Sequence, residues 1–438
     1  MTATAAPTRR RPGSETARRV AGTTPAAIRV LMVALVLLSL AWGAFGGWAA
    51  NAHSSAASAV VAVDEPVSLY ARQMYESLAD ADVTITAAFL ASSQPPLAPL
   101  ERYQADIATT SADLAKLRAD GGSEPAYSAL SSGLPRYTGY VADAESQYSL
   151  GYPLTGGSFM QVASEEAHLV LLPAAKAVFT QENAALTAAN SQATGLPTMI
   201  VALVIALIAG VTLYRAQRWL TRRTNRVFSA GLMLASALLV ISAIWIAAAF
   251  GVARSDLDRG IGQGSQPAET LAQASIGVQQ IRGDAVLNVI SRSGDTSFQE
   301  DFAATSKLVG PGAGTLLTSA GAASTGSQQA ASLVAAAERE VTAWYAANAG
   351  VYRLGVAANY AAERTMVIGT GTGSSAAGYS ALENDITKAI NDDQAVFRSA
   401  ATAGANVLDP LAPVVVAASL LMAAACVWGF SRRLAEYR

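Results

Sequence analysis

Residues 227–252 read VFSAGLMLASALLVISAIWIAAAFGV, a run with no charged side chain. A helix rises 1.5 Å per residue, so about 20 apolar residues cross a hydrocarbon core of about 30 Å. In lipid every backbone polar group must be satisfied internally, which leaves helices or closed barrels, and this run is too long and continuous for a barrel strand. Three further uncharged runs of similar length occupy residues 30–50, 196–214 and 411–431. The chain as a whole is 52% hydrophobic and 14% charged, too little charge to cover an ordinary soluble surface of this size. The predicted fold class is an all-α membrane protein with four transmembrane helices and two tandem extracytoplasmic four-helix bundles.

Arginine placement sets the expected orientation. Arg9, Arg10, Arg11, Arg18, Arg19 and Arg29 precede the first run; Arg215, Arg218, Arg222, Arg223 and Arg226 fill the short connection between the second and third; Arg432, Arg433 and Arg438 follow the fourth. These short segments hold 14 of the 30 basic residues, which assigns them to the cytoplasm of a multi-pass cell-membrane protein with both termini inside. The long segments between spans carry 16 basic and 30 acidic residues and are expected outside.

The expected order is a disordered basic tail at 1–27, a first span at 28–50, a helical bundle at 51–195 and a second span at 196–214. A basic loop at 215–226, a third span at 227–252, a second bundle at 253–410, a fourth span at 411–431 and a short tail at 432–438 complete it. The tail is rich in Thr, Ala, Pro and Arg and is attracted to anionic lipid. Ala50-Asn51-Ala52 has the look of a signal-peptide cleavage site, but the preceding apolar run exceeds the 7–15 residues usual for a signal core, so an uncleaved anchor is the reading. The single Cys426 lies within the fourth run, so the outer segments depend on packing without disulfides. Arginine outnumbers lysine 26 to 4, a bias of GC-rich bacterial genomes.

Periodicity marks the helices. Tyr70, Met74, Leu78, Ala81, Ile85 and Ala88 recur at spacings of three and four, as do Leu271, Ala274, Val278, Ile281, Ala285 and Val289. In the first bundle, breaks are expected at Gln94-Pro95-Pro96, at Asp120-Gly121-Gly122 and from Gly151 to Gly157. They divide it into helices near 70–91, 99–119 and 124–150, with a fourth from Ser158. In the second, Ser293-Gly294, a Gly-rich stretch at 310–326 and the turn at 369–373 delimit a long helix over 328–368. Arg29-Val30 and Trp48 recur as Arg226-Val227 and Trp245, and Ala177-Val178-Phe179 recurs as Ala395-Val396-Phe397, which points to tandem duplication with Phe179 and Phe397 as core anchors.

Few residues carry a chemical signature. His53 and His168 lack metal-ligand spacing and read as exposed or partly packed helix residues. Glu165-Glu166 and Asp392-Asp393 read as solvated faces, since neighbours on a helix point apart. Gly369–Ser375 lacks the lysine of a phosphate loop and reads as a turn. Arg136, Arg282 and Arg353 are of the type that meets a carboxylate, though their default is surface arginine. Gly43 and Gly47 form a small-xxx-small pair suited to close packing of spans. No catalytic constellation, metal set or cofactor motif emerges, and no nucleic-acid partner is expected. The candidate site for a cytoplasmic partner is the basic loop: Arg215, Arg218, Arg222, Arg223 and Arg226. Membrane lipid and a second copy of the chain are further expected contacts.

Each span–bundle–span unit resembles the ligand-binding half of bacterial chemoreceptors and sensor kinases. Gly157-Ser158-Phe159-Met160-Gln161-Val162-Ala163-Ser164, with Leu171-Leu172-Pro173-Ala174-Ala175 following, resembles a helix of actinobacterial four-span proteins of the GlnX type. That resemblance implies a non-enzymatic relay. An extracytoplasmic solute-binding lipoprotein would take up an amino acid, and a cytoplasmic protein kinase would respond. The competing expectation is a structural scaffold of the cell envelope.

Overall fold

The computed structural model describes residues 24–92, 97–119, 124–193, 197–224, 230–291, 297–369 and 371–435; the expected breaks at 94–96, 120–122 and 293–294 lie outside them. The chain is an all-α membrane protein: the described residues form fifteen helices and no strand. In chain order these are α1 Thr24–Ala59, α2 Glu65–Ala91, α3 Leu97–Ala119, α4 Glu124–Ser149, α5 Pro153–Glu166, α6 Leu172–Ala193, α7 Pro197–Thr224 and α8 Ala230–Gly260. They continue as α9 Gln266–Ser291, α10 Ser297–Val309, α11 Leu316–Ala323, α12 Gln328–Val356, α13 Tyr360–Ile368, α14 Ser375–Leu408 and α15 Leu411–Ala435. Single π-helical turns at Val60–Asp64, Ala167–Leu171 and Ile261–Ser265 join α1 to α2, α5 to α6 and α8 to α9. Helix therefore runs without a gap from Thr24 to Ala91 and from Ala230 to Ser291.

Four segments are long and apolar enough to cross a membrane: Arg29–Ala56, Ile200–Trp219, and stretches within Ala230–Val286 and Ser375–Arg432. With their flanks, the described residues within 1–55, 194–255 and 404–438 form one compact unit. Its interior holds Leu35, Trp42, Leu232, Met422, Cys426 and Phe430, while Leu37, Leu207, Ile244 and Leu421 are exposed, the pattern of a bundle whose outer surface meets lipid. Trp42 Nε1 donates to Ser242 Oγ at 3.2 Å. Gly43 and Gly47 do form a contact surface. A methyl on Gly43 would fall 1.9 Å from Ser419 Oγ and one on Gly47 3.1 Å from Val416 Cγ2, so α1 and α15 approach almost backbone to backbone.

The described residues within 56–193 and 256–403 form the second unit. In its first half α2 packs on α3 and α6, and α4 on α5 and α6; in its second, α9 packs on α10, α11 and α12. The two halves share one core. Met74, Leu78, Tyr137 and Val178 belong to the same buried cluster as Leu271, Val278, Trp344 and Ile386. Phe179 and Phe397 are both buried, as their repeat positions predict.

Three expected boundaries are corrected. Gly151 sits at φ +83° and ends α4, and Pro153, which needs no amide partner in a first turn, starts α5. The fourth helix thus begins at Pro153 rather than Ser158, with Gly156 and Gly157 inside it. The expected helix over 328–368 breaks after Val356, where Ala358 adopts φ +55° and the Asn359 side chain caps α13 by accepting from Ala362 N. The Gly-rich stretch also contains α11.

Candidate functional site

The core stripe of α2 leaves a second face bearing Arg72, Glu76 and Asp80, spaced by four, with Asp82 beside it. That face meets α9. Glu76 Oε1 lies 3.5 Å from the Oγ of the buried Ser275. A methyl added to Gly283 would lie 4.0 Å from Val83, so contacts near both pairs keep a sequence offset of about two hundred and the helices run parallel. A charged seam along this junction is the candidate site.

Arg72 pairs with Glu76 at 2.6 Å. Ser275 Oγ donates to Glu383 Oε1 of α14 at 2.7 Å, so one hydroxyl lies between carboxyls from two helices. Burial, reinforced by the charge of Glu76, pushes Glu383 up to about 7. Arg102 of α3 binds Asp80 at 2.6 Å; next to it, burial and then Asp80 raise Asp106 to about 7. Arg282 of α9 stacks over the Tyr379 ring at 4.6 Å, with Nε and Nη1 lacking partners, and its burial lowers its pKa.

Deeper in the first half, Asp82 accepts from Ser164 Oγ at 2.7 and 2.9 Å and faces His168 Nε2 at 3.3 Å. Burial opposes charge on His168, but Asp82 prevails and raises its pKa. Beside the seam, a crevice of about 600 Å³ opens between α6, α9 and α10, with Lys176, Asn183 and Glu269 at its polar margin and Phe179, Ile276 and Val309 among its apolar walls. Burial raises the Glu269 pKa against a hydrogen bond from Asn183.

The seam overturns several sequence expectations. Arg282 is part of it and not a surface arginine. His168 is partly packed, as expected, but against Asp82, whereas His53 is buried with its ring edge on Phe250 at 5.1 Å. Of the acid pairs, Glu165 is exposed, but Glu166 binds Arg136 at 2.8 Å. Asp393 is fully buried, accepts from Ser324 at 2.8 Å, and is raised to about 6 by burial. Arg353 is exposed and donates to its own helix at Ala349 O. Arg215, Arg218 and Arg222 lie on the last turns of α7, exposed and spaced three and four apart, hence on one face. Arg218 reaches the Tyr214 hydroxyl at 3.3 Å. The Arg223 side chain and all of Arg226 lie outside the described residues.

Among the described residues, no group of three or more His, Cys, Asp or Glu is placed to hold a metal ion. The arrangement is suited to storing and releasing charge at a junction of helices. A family model for an actinobacterial sensor domain matches residues 56–191, about a third of the chain and nearly all of the first half of this unit. Neither the curated proteins nor the solved structures give a match to the chain. The chain is thus a multi-pass helical membrane protein that carries, over residues 56–191, a segment similar to actinobacterial sensor domains. The matched segment contains Arg72, Glu76, Asp80, Asp82 and His168, so half of the seam belongs to the sensor-like region.

Proposed function

We propose that this protein is a non-enzymatic transmembrane signal relay of the cell membrane, with the helical unit outside and both termini and the basic loop in the cytoplasm. The observation that carries this reading is continuity. The helices that meet at the charged seam, α2 and α9, are each joined through one π-helical turn to a helix with a span, α1 and α8. A change at the seam is then passed on by helices that shift as rods, and shifts of about 1–2 Å are the common currency of such switches. π-turns interrupt helices at functional places often enough that two in corresponding positions support a hinge or register role. The similar order of elements in the two halves supports a duplication that builds this pairing within one chain.

The finer reading is that a lipoprotein-borne amino acid is the outer signal and a Ser/Thr protein kinase the inner partner. It is supported by the GlnX-type resemblance at Gly157–Ala175 and by the exposed Arg215, Arg218 and Arg222, a guanidinium face suited to an acidic or phosphorylated protein surface. The test is photocrosslinking in native membranes from a reactive residue at Arg222 and another at Ser111. The relay predicts a kinase captured at the first site, in a yield that changes when the lipoprotein captured at the second is deleted. A yield indifferent to that deletion would favour an envelope scaffold.

A further inference from the structure

Where α2, α4 and α5 of the first half approach α9 and α13 of the second, a cleft of about 460 Å³ remains open. This is within the usual size range for small-molecule sites, about 300–1,000 Å³. Phe89 and Tyr148 stack with centroids 4.6 Å apart and planes 13° apart, and Met160 and Val289 extend the apolar wall. Two polar groups stand out against it. Thr86 is 1% exposed and lines the cleft, yet among the described residues its Oγ1 has no hydrogen-bond partner. A buried hydroxyl left unpaired costs about 1–3 kcal/mol, so a ligand able to hydrogen-bond there is favoured. Arg364, on α13, is exposed at the cleft and makes no ion pair among the described residues.

The charge pattern narrows the ligand. Residues 56–193 and 256–403 carry 29 acidic against 15 basic residues, yet among the described residues the lining includes one cation and no acid. An anion is therefore favoured here and disfavoured on most of the surrounding surface. One guanidinium and one hydroxyl match the two oxygens and single charge of a carboxylate; a phosphate dianion would leave a charge uncompensated. The flat Phe89–Tyr148 wall suits a ring.

We propose that this cleft binds a small aromatic monocarboxylate, with Arg364 taking the carboxylate, Thr86 supplying a hydrogen bond and the Phe89–Tyr148 wall holding the ring. The larger crevice beside the seam makes a weaker case, because Lys176 and Glu269 share its lining and Glu269 is already engaged with Asn183. A ligand in the cleft touches α2 and α9 together, the helices that meet at the seam. The proposal rests on the sensing reading only for that consequence.

The test uses the full chain in lipid nanodiscs and saturation-transfer NMR titrations with phenylacetate, phenylacetamide, acetate and inorganic phosphate. Phenylacetate should saturate at millimolar concentration, with the other three at least about tenfold weaker. Arg364→Gln should weaken phenylacetate at least about tenfold while its thermal unfolding matches the parent, as expected for an exposed position. Thr86→Val, which keeps the side-chain shape, should weaken it less. The proposal is overturned if phenylacetate does not saturate, if the amide or phosphate binds as well, or if Arg364→Gln leaves the affinity unchanged. Binding is read without any signalling output, so failure here leaves the relay to its own crosslinking test.

Discussion

Ser275 and Glu383 lie 108 residues apart and are joined by a 2.7 Å hydrogen bond, with the Glu76 carboxylate 3.5 Å from the same hydroxyl. The seam therefore stores two acids around one donor. Burial and Glu76 push Glu383 to about 7, well above its ordinary 4.5. An acid raised in the folded state contributes stability that is complete below its unfolded pKa and lost as pH rises through the folded one. Asp106, also near 7, and His168, raised by Asp82, act in the same direction, with Asp106 discounted for its greater access to solvent. The melting temperature of the full chain in detergent should fall between pH 4.5 and about pH 7, the unfolded and folded values for Glu383, and Glu383→Gln should flatten that slope. An unchanged slope in that variant would remove Glu383 from the account.

A second expectation concerns the spans. At Gly43 a methyl would meet not only Ser419 Oγ but also its Cβ, at 2.4 Å, and no rotamer change moves a Cβ away. Gly43→Ala should lower the melting temperature by the equivalent of about 1–3 kcal/mol, the usual range for overpacking. Pairing it with Ser419→Gly should restore most of the loss. Absence of rescue would show that α1 and α15 do not meet at this pair.

The shared core gives a third. Phe397 is 1% exposed and Phe179 4%, and replacing a buried Phe by Ala typically costs about 3–5 kcal/mol. Because both halves draw on one buried cluster that includes Phe179, and Phe397 is buried in the same unit, either substitution should lower a single calorimetric transition of that unit within the full chain. Two separate transitions, only one of them shifted, would show that the halves melt independently.

These expectations differ in how far they could be read from residues alone. The spans were legible because lipid demands apolar side chains around a whole helix, a pattern that needs no partner to interpret. The bundle stripes were legible for the same local reason, and so were the two phenylalanines. The seam was not. Arg72 and Glu76, four apart, look like any solvated ion pair on a helix surface, and what buries them is Ser275 and Glu383, far along the chain. His168 gave no sign of Asp82, 86 residues earlier. The break before α13 did leave a signal: Asn359, with Glu363 in the first turn after it, is a helix start.

Orientation is tested by single cysteines in a chain whose own Cys426 is buried. Ser111→Cys and Ser332→Cys occupy exposed positions on α3 and α12 and should react with an impermeant thiol reagent on intact cells. Thr16→Cys and Thr224→Cys should react only after the membrane is opened. Labelling of Thr224→Cys from outside would overturn the placement of the basic loop in the cytoplasm.

The exposed face formed by Arg215, Arg218 and Arg222 has two roles to separate. Holding topology and lipid headgroups needs positive charge of any kind, whereas a bidentate contact to a carboxylate or phosphate needs the guanidinium fork. Arg218 already touches the Tyr214 hydroxyl, which steadies one member of the face without neutralising it. Changing all three to Lys should therefore leave the cysteine-labelling pattern and the melting temperature as they are. Under the relay it should reduce capture of the cytoplasmic partner by about tenfold or more, the scale of losing charge-assisted forks at a protein contact. Capture at the parent level in that triple variant would remove arginine-specific docking from this helix, and the partner would have to be read by the chain termini instead.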